Sequence, residues 1–183
     1  MHIAILGFGY QPPLQNLKFA EQAITLLSEH NFGIAVGNVR GTFLTALETA
    51  SLLGVQGIAV IDDTMSIEAL PSSTRIEVVA KEEKHAQIAK LVSAGLVLGG
   101  AEGTRKLSTK LVEADHPVVA VKGTGGAVDD GSLSELIPVV ESVEQAVEFL
   151  VAKLMGKQSP WTGTRQAAPV RGCYRNWWVV RQI

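Results

Sequence analysis

Leu96-Val97-Leu98-Gly99-Gly100-Ala101-Glu102-Gly103-Thr104 and its earlier counterpart Gly33-Ile34-Ala35-Val36-Gly37-Asn38-Val39-Arg40-Gly41-Thr42 decide how this chain folds. In each, a short apolar run meets a glycine-rich turn, and a helical pattern opens at Gly-Thr. A strand, a tight turn and a helix in that order form half of a parallel βαβ unit. Glycine lets the backbone come close to a ligand, and the free N–H groups at a helix start favour anions. Glycine also simply makes tight turns, so either segment alone is ambiguous. Two matched segments in one sheet would face one crevice, and that favours a phosphorylated ligand held from two sides.

Working outward, strand and helix patterns alternate from residue 2 to about residue 155. Strands are expected at 2–6, 33–36, 57–61, 75–80, 95–98, 117–121 and 137–140. Helices are expected after Pro12-Pro13, with Leu17, Ala20, Ile24 and Leu27 at helical spacing, and at 42–53, 82–92, 103–114 and 143–154. A short helix is expected at 66–70. Ser142-Val143-Glu144-Gln145 reads as a capping box. The pattern implies an α/β fold, a Rossmann-like three-layer sandwich with a mainly parallel central sheet. Right-handed crossovers place every βα turn along one edge. Four of those turns are glycine-rich: Gly7–Gly9, Gly37–Gly41, Gly99–Gly103 and Gly123–Gly126. Ligands of such sheets bind beyond the strand carboxyl ends, where the strand order switches.

The 183 residues, 46% hydrophobic and 19% charged, fit one globular domain over residues 1–156. Residues 157–183 read as an irregular extension with Arg165, Arg171, Arg175, Arg181 and the apolar Trp177-Trp178-Val179-Val180. That extension is either a loose tail or an aromatic anchor on the body or on a second subunit. A net charge of −2 and a pI near 6.1 give no electrostatic footprint for nucleic acid. A single cysteine, Cys173, excludes an intrachain disulfide framework. With no signal-peptide pattern and no membrane-length apolar run, a cytoplasmic protein is expected.

Several chemistries are excluded by residue type. Gly7-Phe8-Gly9-Tyr10-Gln11-Pro12 has proline where a dinucleotide fingerprint needs its third glycine, and no acid ends the second strand. No Gly-Lys-Ser/Thr follows any glycine turn, so a P-loop is absent. The four histidines lack ligand spacing, and Asp62-Asp63 and Asp129-Asp130 read as turn or cap residues, so no metal is expected.

Gly37-Asn38-Val39-Arg40-Gly41-Thr42-Phe43 resembles the Gly-Gly-Gly-x-Gly-Leu-Met segment of the Lonely Guy proteins, once labelled lysine decarboxylases. Leu98-Gly99-Gly100-Ala101-Glu102-Gly103-Thr104 resembles their second signature, Gly-Gly-x-x-Gly-Thr with a glutamate three residues on. The order of elements agrees over about residues 2–154. The resemblance implies a Rossmann-like nucleotide-binding fold, and a homodimer as the commonest assembly. Enzymes of the family split a nucleoside 5′-monophosphate into base and ribose 5-phosphate, using an arginine and that glutamate. Those positions hold Lys84 and Leu107 here. Lysine lacks the planar fork of arginine, and leucine cannot ionise, so no catalytic residue is assigned.

The expected function is therefore binding of a phosphate-containing, nucleotide-like small molecule by a non-catalytic carrier or sensor. The molybdenum-cofactor carriers of the same fold class are the analogy. The alternative is a Lonely Guy-type phosphoribohydrolase with a rearranged acid, for which Glu102 would have to serve. A third class, a DNA-handling protein with related glycine turns, is opposed by the acidic pI. The expected ligand-binding residues are Gly7, Gly9, Gly37, Asn38, Arg40, Gly41, Thr42, Lys84, Gly99, Gly100, Glu102, Gly103 and Thr104. Arg40, Arg105 and Lys106 either neutralise a phosphate or face solvent. Asn38 either bonds the ligand or shapes its turn.

Overall fold

The computed structural model describes residues 1–156, so the expectations for residues 157–183 lie outside the described residues. Among the described residues seven strands and five helices follow in chain order: β1 His2–Leu6, α1 Leu14–Glu29, β2 Gly33–Val36, α2 Thr42–Leu52, β3 Gly57–Ile61 and β4 Arg75–Val78. The second half comprises α3 Lys84–Leu91, β5 Ala94–Val97, α4 Glu102–Glu113, β6 Val118–Val121, β7 Val139–Val140 and α5 Val143–Leu154. The strands form one sheet in the order β4-β3-β2-β1-β5-β6-β7. Every neighbouring pair is parallel.

Because side chains alternate across a strand, one central strand feeds two cores. Ile3 and Ile5 of β1 pack with the buried faces of α1, α2 and α5, including Ile24, Leu47 and Leu150. Ala4 and Leu6 pack on the other side with Ile88 of α3 and Leu107 and Leu111 of α4. Apart from His2, every residue of β1, β2, β3, β5 and β6 is buried, which is why these strands read as continuous apolar runs.

The elements start within two residues of where the pattern places them, with two departures in kind or length. Residues 66–70 form a turn, with the Leu70 N–H on the Ile67 carbonyl at 3.0 Å, and not a helix. Pro71 disfavours the helical region for Leu70, and five residues cannot repay helix nucleation. The expected strand at 137–140 shrinks to Val139–Val140, because the Ile137 N–H bonds the Leu133 carbonyl in the preceding turn. The capping box is half formed. The Ser142 hydroxyl accepts from the Gln145 N–H at 3.4 Å, but the Gln145 side-chain carbonyl accepts from the Glu141 N–H, one residue before the cap.

Candidate functional site

From β1 the chain runs outward through β2, β3 and β4, then returns to place β5 on the other side of β1. The switch in strand order thus lies between β1 and β5, beyond Leu6 and Val97. The glycine-rich turns after β1, β2, β5 and β6 all meet along this edge.

They lock into one another. The Thr42 N–H donates to the Phe8 carbonyl at 3.0 Å, and the Phe8 N–H donates to the Thr42 hydroxyl at 3.4 Å. A side chain at Gly7 would strike Thr42, and one at Gly9 would strike Asn38. Asn16, fully buried on α1, donates its amide to the carbonyls of Leu98 (3.1 Å) and Thr124 (2.7 Å), tying the β5 and β6 turns together. The Ala127 N–H closes the ring on the Gly100 carbonyl at 2.8 Å. The Phe8 ring sits against Gly99, Gly125 and Gly126. Most of the glycines therefore serve contacts of the protein with itself.

The turns differ sharply in what they leave free. After β6, the Asp129 carboxylate already accepts the N–H groups of Gly123 (2.9 Å) and Gly125 (2.8 Å). At α2, the first two N–H groups are taken, Thr42 by Phe8 and Phe43 by the Arg40 carbonyl. At α4 there is no side-chain cap, and the N–H groups of Glu102, Gly103 and Thr104 have no acceptor among the described residues. The lip is open, since a Cβ at Gly103 would meet nothing within 4 Å. Of the two matched turns, the second presents the stronger anion-binding helix end.

Around that lip the charges form exposed surface pairs. Glu102 meets Arg105 at 3.4 Å and Lys106 at 3.6 Å, and Arg105 also reaches Asp130 at 3.1 Å. The Arg105 Nε lies buried with no acceptor among the described residues. Exposed pairs of this kind contribute little, so Glu102 holds Arg105 and Lys106 only weakly. Asp130 is held below the ordinary carboxylate range, first by the hydroxyl and N–H of Ser132 and then by Arg105. A groove of about 580 Å³ between α3 and α4 runs down from this lip, lined by His85, Glu102, Arg105 and Lys106 among others. Burial and the nearby Lys84 and Lys106 ammonium groups push the His85 imidazole down, toward the neutral form.

Gly9, Asn38 and Arg40 line a second cleft of about 420 Å³ at the ends of β1 and β2, with Tyr10, Val39, Thr64 and Met65. Its volume is in the range of small-molecule pockets. Gly41, with φ +56°, packs onto the Phe8 carbonyl, and Gly37 packs on Ile88 of α3. Gly100, with φ +108°, packs against Thr104, itself buried. Lys84 is drawn elsewhere: its ammonium bonds the Asp62 carboxylate at 3.1 Å, both side chains largely buried. Leu107, at the position of the family's glutamate, belongs to the core with Leu111 and Val97.

Sequence reasoning missed Asp62 as anything beyond a turn residue. Its carboxyl is lowered to about 2, chiefly by the Thr64 hydroxyl and then by Lys84. The only available signal was an acid directly following a wholly apolar strand. Phe8 and Asn16 carry no local signal at all, because their partners are distant in sequence.

No family model matches the chain, and no curated protein is significantly similar to it. Solved structures do share the fold. The molybdenum cofactor binding protein from the phototrophic bacterium Rippkaea orientalis is 16% identical, with a TM-score of 0.69 over 84% of this chain and 96% of its own. The molybdenum cofactor carrier protein from Chlamydomonas reinhardtii is 20% identical, with a TM-score of 0.67 over 85% of this chain and 98% of its own. DNA processing protein A from Helicobacter pylori, described for its single-stranded DNA binding mode, is 10% identical, with a TM-score of 0.65 over 84% and 81%. The Rossmann-like fold that the sequence resemblance implied is thus the fold of these proteins. Among the described residues no helix is long and apolar enough to cross a membrane.

Proposed function

We propose that this chain is a non-catalytic carrier or sensor that binds a phosphorylated, nucleotide-like small molecule at the switch-point edge. One observation carries the reading: the three N–H groups at the start of α4 that have no acceptor among the described residues, beside Gly103, where a Cβ would meet nothing within 4 Å. They would take the phosphate, with Gly99, Gly100, Glu102, Gly103 and Thr104 forming its cradle. The rest of the ligand would extend over the β1 and β2 turns, along Gly7, Gly9, Gly37, Asn38, Arg40, Gly41 and Thr42. Lys84, held by Asp62, would act on the ligand through its field and not by direct pairing. The cofactor carriers among the structural neighbours support a carrier role, and the single cysteine fits a cytoplasmic setting.

The burial of Leu107 in the core counts against hydrolysis, since that position offers no group to the edge. The test is incubation of the purified chain with nucleoside 5′-monophosphates. No free base should be released, while the thermal midpoint rises with ligand, because a ligand bound only by the folded state stabilises it. Release of base that disappears in Glu102→Gln would establish the hydrolase instead. A salt-dependent shift of single-stranded DNA, with no response to nucleotides, would favour the third class.

A further inference from the structure

The two edges of the sheet are unlike. β7 is two residues long and follows Pro138, a form of edge that resists pairing. β4, Arg75-Ile76-Glu77-Val78, has no proline within it, and among the described residues β3 is the only element it packs on substantially. The Val79 N–H donates inward to the Ile61 carbonyl at 2.9 Å. By alternation the backbone groups of Arg75 and Glu77 also turn toward β3, so those of Ile76 and Val78 point outward, unpaired among the described residues.

We infer that the outer edge of β4 pairs with β4 of a second copy of this chain, antiparallel about a twofold axis through Ile76. In that register the two Ile76 residues exchange both of their outward hydrogen bonds, as a hydrogen-bonded antiparallel pair requires. Arg75 of each copy then stands directly opposite Glu77 of the other, on the same face of the joined sheet. Opposite charges so placed stabilise a pair, and like charges destabilise it. Moving the axis to Glu77 would set two glutamates face to face. Moving it to Val78 would set Arg75 against Lys81. Of the registers centred within β4, only the one at Ile76 is complementary in charge.

The side chains agree. Glu77 lies on the α3 face, where it accepts from the Gln87 amide at 2.8 Å. Arg75, more than half exposed, already meets the largely buried Glu77 of its own strand at 2.6 Å, so in the pair each arginine would be shared between that carboxylate and the facing one. Ile76 and Val78 project from the opposite face, 38% and 63% exposed among the described residues. Beside them Ser51, at the end of α2, bonds Ser73 just before β4, which brings Leu52, 87% exposed, to the same side. A four-residue strand pair alone is smaller than a standard interface, so the dimer is concentration-dependent, with Leu52 enlarging its apolar side. This pairing stands independently of the ligand reading.

Sedimentation velocity on the full chain over a range of concentrations tests it, with circular dichroism confirming the fold of every variant. The wild type should pass from monomer to dimer as concentration rises. Arg75→Glu and Glu77→Arg should each weaken the dimer by about tenfold or more, because each sets like charges opposite one another. The two substitutions combined should restore it, since an acid at position 75 would again face a base at position 77. Should a charge variant misfold, Val78→Lys, at an exposed position, should block the edge in the same way. A strictly monomeric wild type, a dimer indifferent to the single swaps, or a double swap that stays monomeric would overturn the inference. So would a wild-type monomer that dimerises only once residues 157–183 are removed, which would show that the chain covers its own edge.

Discussion

Asp62 shows how a residue gains a role that its neighbours in sequence do not announce. It sits just beyond β3, almost fully buried, and its carboxylate binds the Thr64 hydroxyl and the Lys84 ammonium. Lysine at the first position of α3 opposes the helix dipole, so the acid also offsets that placement. Since the folded carboxyl is held at about 2 while an unfolded aspartate titrates near about 4, the ionised form stabilises the fold above that range. The stabilisation is lost as pH falls from about 4 toward about 2. Denaturant titrations should show Asp62→Asn less stable than wild type at neutral pH, with the gap closing as the solution is acidified through that window. A gap that stays constant with pH would mean that the pair contributes no charge-dependent stability. The pair was illegible beforehand because its partners lie 22 positions apart, and only the α3 crossover brings them together.

At the scale of the element, the glycine turns divide into those that serve packing and the one that stays open. At Gly126, with φ +58°, a Cβ would lie 1.9 Å from the Gly100 carbonyl, so Gly126→Ala must displace backbone. It should cost about 1–3 kcal/mol or more, measurable by chemical denaturation. Gly103→Ala meets no atom and adds a better helix former, so it should leave stability unchanged or raise it by up to about 1 kcal/mol. If the lip of α4 holds a ligand, the same substitution should weaken ligand-induced thermal stabilisation. Equal loss of stability in both variants would contradict this division of labour. The sequence motif made the two Gly-Thr turns look equivalent. The difference arises from Phe8 and Arg40, whose carbonyls satisfy α2, and nothing in the motif encodes it.

Across the whole molecule, the parallel sheet follows from rules that the sequence already obeys: apolar runs of strand length with helices between them. The inner strands were readable because a parallel strand buried on both faces must be apolar throughout. The 66–70 turn and the shortened β7 were not, since each is decided by a proline or by a local hydrogen bond against weak periodicity. The meeting of the glycine turns along one edge was legible from their positions after the strands. The asymmetry among the turns was not, because Asp129 fills the nest after β6 and the Phe8 and Arg40 carbonyls fill the start of α2, while nothing among the described residues fills that of α4.

The central claim is that an anionic ligand sits on the bare N-terminus of α4. Amide chemical-shift mapping of the full chain during titration with adenosine monophosphate, and with inorganic pyrophosphate as a second probe, tests it most directly. The account predicts saturable shifts, largest at the amides of Glu102, Gly103 and Thr104, with smaller ones along the β1 and β2 turns. Saturable shifts that spare those three amides and fall instead along the α3–α4 groove, or no shifts with either probe, would contradict it.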